Sequence, residues 1–597
     1  MKINDFMIPQ IKVFRKVWYW VIILLLIHAA LLAYSATQHS PTELEGPLLA
    51  AGVSHWQLGR YELYRVNPPL VRMVAAIPVV GVGCQTNWGR FIEGKNVRPE
   101  YSIGCQFIEI NGRRSYWLMT LARWACIPFS LLGGIFCFLW GRELYGRNQA
   151  GIIALVLWCF NPMILGNGEL ITNDMGAASL GLGAGYFFWR WLKQSTWKRA
   201  AYATVFLALA ILAKTTWLIL FGLWLLVALV WFIRYSPKEQ AKIRWRLMKS
   251  LQIVLMFFVA VWIINVFYGF DHSFERYDSF SFTSKAMNRI DNKNTYLGWL
   301  PVPFPKQFIV GLDTQIGDLE HFGNSSYLRG EWRNIGWWYY YFYGLLIKTP
   351  IGTEIIFCGV LIASILTGLS RFTASEIVLL LPAFVVFVIV SSQLAFNYHF
   401  RYILPCLGFA FVFCGKSVLW MEKKRIIKCC VVLLLLWSAF STMKIYPHSL
   451  SYFNEFVGGP QNGYKHMLHS ALDWGQDLIQ LEKWLKKHPD VKLNGLVYSG
   501  GYEPKYVGLD YPKPPLDKQS SQLSLSHTDL HTIGPKPGWY ALSVNQIWGW
   551  LHDYDYFQKL KPTAYAGYSI YIYHITLEEA NRMRREIGLP KLEEVKP

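Results

Sequence analysis

The sequence predicts an α-helical protein that crosses a membrane many times and ends in a small α/β domain. Three observations carry that reading. The chain is 53% hydrophobic and only 16% charged, with mean hydropathy +0.23, whereas a soluble domain is about a quarter charged. Apolar runs near the roughly 20 residues that cross a bilayer core recur along three quarters of the chain. After residue 445 the composition turns to mixed polar sequence with strand and helix signals. Aromatics reach 16%, with 27 Trp, as belts at two membrane interfaces require.

The spans are expected at about 17–36, 116–140, 150–167, 174–193, 199–213, 215–233, 250–269, 342–368, 377–396, 400–419 and 426–445. The first follows Lys2, Lys12, Arg15 and Lys16 without a small-residue cleavage site, which reads as a retained anchor. With the N-terminus in the cytoplasm, the inside loops hold Arg142 and Arg147, then Arg190, Lys193, Lys198 and Arg199. They also hold Arg234, Lys238, Lys242, Arg244, Arg246 and Lys249, then Lys423, Lys424, Arg425 and Lys428. The short outside loops hold little beyond Lys214 and Arg401. This asymmetry is the positive-inside pattern. It assigns much of the +20 net charge to topology rather than to nucleic acid, and it puts Glu45 and the C-terminal region outside. A bacterial inner membrane is the expected location.

Two outside loops exceed mere connections. The first, 37–115, opens with TELEGPLLAAG (42–52) and continues into RVNPPLVRMVAAIPVVGV (65–82), an amphipathic run opened by Pro and read as a surface-lying helix. The second, 270–341, ends in an aromatic cluster, GEWRNIGWWYYYFYG, best read as an interfacial belt. Among ten cysteines only Cys84 and Cys105 share an outside loop. A disulfide between them is possible in an oxidising compartment.

The membrane region is taken as 1–445 and the extracytoplasmic domain as 446–597. In the latter, DWGQDLIQLEKWLKKHP (473–489) has helical spacing. NGLVYSG, GWYALSV and AGYSIYIYHI read as strands, and TLEEANRMRREIG opens with a Thr-x-x-Glu capping box.

Ionisable residues near a bilayer are costly and point to function by default. The outer side collects Glu43, Glu45, Arg65 and Arg72 from the first loop, and Glu169 and Asp174 from GELITNDMG. LAKTT, IKTP and FNYHFRYILP add Lys214, Lys348, His399 and Arg401. Each has a plain alternative: Asp174 as a helix cap, Lys214 and Arg401 snorkelling to headgroups, Arg65 and Arg72 as interfacial residues, Glu43 as a solvated one. Together they suit a carboxylate base that deprotonates an attacking group and cations that stabilise a leaving phosphate. Beside lipid, that combination fits transfer of a sugar from a polyprenyl phosphate.

The order of motifs resembles the GT-C glycosyltransferases, in particular the family 39 type of protein mannosyltransferases and bacterial aminoarabinose transferases. The pieces are AAGVSHWQLGRYELYRVNPPLVRMVAA (50–76), GELITNDMGAASLG, LAKTTW, YYYFYGLLIKTP, NYHFRYILP, YPHSLSYFNEFVGGPQNG and DWGQDL. The resemblance implies a helical bundle with surface helices above the active site. It also implies inverting transfer from a polyprenyl-phosphate sugar, with a first-loop acid as base. Family members usually carry Asp-Glu there, with His three residues after the Glu. This chain has Leu44-Glu45, with Leu48 at the His position. Glu45 is therefore the carried-over acid, and Glu43 a substitute one residue earlier.

By the same matching Asp174 resembles the second outer-loop acid, and Lys214 and Arg401 match donor-phosphate positions. Arg72 and Lys348 join them as phosphate candidates, and Asn67, Glu169 and His399 as substrate contacts. The expected partners are a polyprenyl-phosphate sugar, a protein, lipid or glycan acceptor, and membrane lipid. No His/Cys spacing points to zinc. Glu45 with Asp174 could hold a divalent cation, and no required metal is expected. Two rivals stand beside the enzyme: a transporter, and a silent membrane receptor binding through its C-terminal domain. The enzyme reading expects Glu45 and Asp174 to share an outward cavity that runs into a groove lined by Lys214 or Arg401. It also expects Glu45→Gln to abolish transfer without harming insertion.

Overall fold

The computed structural model describes residues 7–92, 97–235, 242–289, 296, 298–321, 325–367, 372–394, 397–520, 522 and 529–593. Lys2 and Lys238 lie outside the described residues. Helices occupy all eleven expected stretches: Met7–Ser35, Arg114–Tyr145, Asn148–Cys159 with Pro162–Gly168, Asn173–Lys193, Trp197–Ala213, Ile219–Arg234, Lys242–Phe267, Tyr340–Lys348 with Ile351–Leu366, Ala374–Ser392, Leu404–Cys414 and Arg425–Ile445.

Among the described residues seven are long and apolar enough to span a membrane, or nine if each bent pair counts once. Asn173–Lys193 falls short in hydropathy because it has little lipid to face: nearly all its residues are buried in the bundle. The outer helices show the converse. Leu226, Val230, Phe258, Phe384, Leu436 and Phe440 are exposed, as a lipid-facing surface requires.

Two expected spans are not straight. The pair 148–159 and 162–168 bends by 59°, and the pair 340–348 and 351–366 by 120°. Each break falls at a proline, Asn161–Pro162 and Thr349–Pro350. Proline lacks a backbone donor and bars the preceding residue from helical geometry. Asn161 recaps the chain, its Oδ1 accepting from the Met163 and Ile164 amides. Inside the bundle, small residues let helices close on large rings. A Cβ at Gly181 would sit 2.0 Å from the Trp217 indole, and one at Gly133 2.1 Å from Trp158.

In the first loop, helices Glu45–Leu58, Leu70–Gly81 and Pro99–Asn111 form a layer on the bundle. The surface helix begins at Leu70, and it buries Val71, Arg72, Ala75, Ala76 and Val79. Cys84 and Cys105 are free thiols. The loop meets the C-terminal domain through Arg113–Glu482 at 2.7 Å and through Ser40 N to Gln476 O at 2.9 Å. The second loop joins them through Trp332 Nε1 to Trp548 O at 3.0 Å. All three regions thus share one side of the bundle. Arg147 pairs with Glu422, and Arg190 with Glu143, at the opposite end.

The C-terminal domain has a four-stranded sheet with strands Leu493–Val497, Gly538–Ser543, Ile570–Ile575 and Ala564–Ala566 in that spatial order. The first pair is parallel and the other two are antiparallel. Gly567, at φ +62, makes the turn between the last two strands, where a Cβ would also strike the Asp477 carboxylate. The Thr576/Glu579 capping box forms at Leu577–Glu586. The helix expected over 473–489 starts only at Leu478, because residues 474 and 476 spend their carbonyls on the Glu43 and Ser40 amides.

Candidate active site

Three chain breaks bring one carboxylate and two cations together. Asp174 lies in the first turn of Asn173–Lys193, where the positive end of the helix dipole favours an anion. Thr172, not Asp174, is the N-cap. Lys214 is the single extended residue (φ −157, ψ 133) between Trp197–Ala213 and the 3-10 turn Thr215–Leu218. Asn173 Nδ2 holds that break in place by donating to Ala213 O at 2.7 Å and Pro68 O at 3.3 Å. Arg401 sits in the 3-10 turn Phe400–Ile403, ahead of Leu404–Cys414.

Lys214 Nζ donates to Asp174 Oδ1 at 2.6 Å, and Arg401 Nε lies 3.1 Å from Asp174 Oδ2. Asp174, Lys214 and Arg401 are buried, at 3%, 8% and 5% exposure. Arg401 Nε is out of line for a well-directed hydrogen bond. The guanidinium stacks 4.0 Å above the Trp474 ring and reaches His399 Nδ1 at 3.1 Å through Nη1. Burial and the Arg401 charge hold His399 well below the usual histidine range. It is therefore neutral, and its Nδ1 lone pair accepts from Arg401, with the Ser470 hydroxyl 2.9 Å from the same nitrogen.

Glu43 adjoins Trp474. Its amide donates to Trp474 O at 3.1 Å, and Gly501 packs so close that a Cβ there would lie 2.5 Å from Glu43 O. The side chain keeps solvent access and lines a cavity of about 160 Å³ between bundle and C-terminal domain. Tyr398, His469, Asp473, Ser499 and Asn545 line the same space. Crowding by protein raises the Glu43 pKa, against the opposing pull of Arg401 and the Trp474 indole. Burial pushes Asp473 up to about 7 and His469 down to about 3.

Several expected residues lie elsewhere. Glu45 is fully buried, and Arg123 grips both its oxygens. Thr42 adds bonds from N (2.9 Å) and Oγ1 (3.1 Å), and the Ile171 amide a fifth at 3.3 Å. A carboxylate so saturated has no lone pair left for an acceptor proton. Neither Glu45 nor Asp174 lines the cavity beside Glu43, and Asp174 is closed by its own two cations.

Lys348 donates to the Leu450 and Ala471 carbonyls and so ties down backbone, not phosphate. Arg72 donates to His55 Nε2 at 2.8 Å and to the Asn67 and Pro68 carbonyls at 2.6 and 3.0 Å. Asn67 thus serves Arg72 through its backbone, while its Oδ1 is buried without a partner among the described residues. Glu169 is buried against His39 Nδ1 at 2.8 Å.

Arg123, Trp474, His469 and Asp473 were not singled out by sequence. Arg123 is a charge inside an apolar run, the one signal that could have found it.

The fold and site define a polytopic membrane protein whose buried ionic cluster adjoins a cavity under an α/β domain. No family model matches the chain, and no curated protein matches its sequence. Among solved structures it is similar to ArnT from Cupriavidus metallidurans bound to undecaprenyl phosphate, at 13% identity over 93% of this chain and 97% of that one, TM-score 0.42. It is also similar to the archaeal oligosaccharyltransferase AglB from Archaeoglobus fulgidus in complex with an inhibitory peptide and a dolichol-phosphate. There the identity is 11% over 94% of this chain and 75% of that one, TM-score 0.43.

Proposed function

We propose that the chain is a membrane glycosyltransferase of the GT-C type. It moves a sugar from a polyprenyl-phosphate donor to an acceptor hydroxyl or amine by inverting single displacement on the outer face. The observation that carries this reading is the position of Arg401, which pairs with Asp174, stacks on the cavity-lining Trp474 and acts electrostatically on the Glu43 carboxylate. Two cations share one carboxylate, so the cluster retains capacity for a second anion. Glu43, not Glu45, is the base, because it alone of the two reaches open space, and its raised pKa favours proton uptake.

In the reaction the acceptor atom bonds to the anomeric carbon while its proton passes to Glu43. The carbon–oxygen bond to phosphate breaks, and polyprenyl phosphate departs with the electron pair. Arg401 and Lys214 stabilise the charge it gains. Neutral His399 holds Arg401 in place by accepting from Nη1.

The test is to incubate purified protein with a panel of polyprenyl-phosphate sugars and measure released polyprenyl phosphate by mass spectrometry. Release by wild type and not by Glu43→Gln supports the assignment, and no release from any donor sinks it. The silent-receptor reading keeps one observation in its favour: Asp174 already occupies both cations. On that reading the protein binds a glycan or peptide in the cavity without consuming any donor.

A further inference from the structure

A different cluster lies where the first outer loop, the segment after the last span and the C-terminal domain meet. His39, His448 and Asp477 each offer one ligand-type atom, and the three atoms lie within 4.8 Å of one another. Their surroundings already orient them as a metal site does. His39 Nδ1 bonds Glu169 Oε1 at 2.8 Å, both side chains being almost fully buried. A carboxylate there fixes the tautomer with the proton on Nδ1, which leaves a lone pair on Nε2. That Nε2 is buried and has no hydrogen-bond partner among the described residues.

Asp477 is held from the other side. Its Oδ2 accepts from the Tyr568 and Ser569 amides at 3.0 and 3.1 Å and from the Ser569 hydroxyl at 2.9 Å. Oδ1 is thereby aimed at His448 Nδ1, 3.2 Å away.

We propose that His39, His448 and Asp477 bind a divalent transition-metal ion of the Zn²⁺ class, with Glu169 as the carboxylate behind His39. Two imidazoles and a carboxylate are zinc donors, and a second carboxylate on the remote nitrogen is the usual support of a ligating histidine. Bonds of about 2.0–2.1 Å in a tetrahedron set ligand atoms about 3.3 Å apart. The His448–Asp477 pair already has that spacing, and His39 closes onto it by a small side-chain rotation. One position remains for water. The ion pins the C-terminal domain to the bundle, and this role is independent of the transfer chemistry. A plain hydrogen-bonded cluster accounts for His448 with Asp477 but leaves the buried His39 lone pair stranded, which is unfavourable.

The experiment strips the full-length protein in detergent with a chelator and reloads it with Zn²⁺ or Co²⁺. Metal content, the visible spectrum of the Co²⁺ form and the thermal midpoint are then read. The expected result is one ion per chain, a Co²⁺ spectrum of low coordination number, and a midpoint raised by metal. His39→Gln and His448→Gln should lose the ion, and Glu169→Gln should bind about 10–100-fold more weakly. Wild type that stays metal-free overturns the proposal, as do histidine variants that load like wild type. Should those variants misfold, Glu169→Gln decides alone: undiminished affinity overturns it.

Discussion

Glu45 and Asp174 are both buried acids beside buried cations, yet their surroundings differ in kind. Glu45 faces one cation, Arg123, and receives five hydrogen bonds. Its neighbourhood is neutral, saturated and closed. Asp174 faces two cations, Lys214 and Arg401, and one of these is poorly aligned, stacked on Trp474 and shared with Glu43. Its two cations carry more N–H donors than the Asp174 carboxylate takes up, and it borders open space. The first arrangement holds structure and the second can accept a ligand, because only a surplus of donors gives an arriving anion something to bind.

The contrast is broken most severely at Glu45. Glu45→Gln strands the Arg123 charge in the interior, which should cost about 3–5 kcal/mol and appear as a large fall in thermal midpoint and yield. This reverses the sequence expectation of intact insertion with lost transfer. A Glu45→Gln protein as stable as wild type would erase the distinction between the two clusters. Glu43→Gln should do the opposite, keeping the thermal midpoint while turnover drops about 10²–10⁴-fold, the usual worth of a positioned base. Lys214→Ala should reduce donor kcat/KM by about 10²–10³-fold and leave acceptor KM unchanged, and an equal effect on both substrates would make Lys214 a scaffold residue.

Acidity sharpens the comparison further. Glu43 must be ionised to act, and its pKa is raised, so turnover should fall as pH drops through a limb above the ordinary glutamate value of 4.5. Arg401 opposes that rise, so residual activity in Arg401→Gln should show the limb at still higher pH. The smallest effect is expected from Trp474→Phe. It weakens the stack under Arg401 by about 0.5–2 kcal/mol, read as a several-fold rise in donor KM.

Much of the helical frame was legible because hydropathy acts along the chain. Most of the eleven apolar runs are long enough to be recognised without their neighbours, and the Thr576/Glu579 box and the strands around 493–497, 538–543 and 570–575 are local signals too. The bends at Pro162 and Pro350 were equally local and were passed over in favour of run length. The convergence of Asp174, Lys214 and Arg401 was only half legible. Their common side of the membrane followed from counting spans, but which acid meets which cation depended on helix breaks at 172 and 214 and the turn at 400–403.

The amino-acid order alone therefore determined a many-pass membrane protein with its acids and bases gathered on one side, since burial of apolar length is a local and additive quantity. Tertiary structure alone decided that Arg123 consumes Glu45, that Glu43 faces the cavity, and that His39, His448 and Asp477 meet. Hydrogen bonds and ligand bonds act over about 3 Å, and no spacing along the chain encodes which distant groups will come that close.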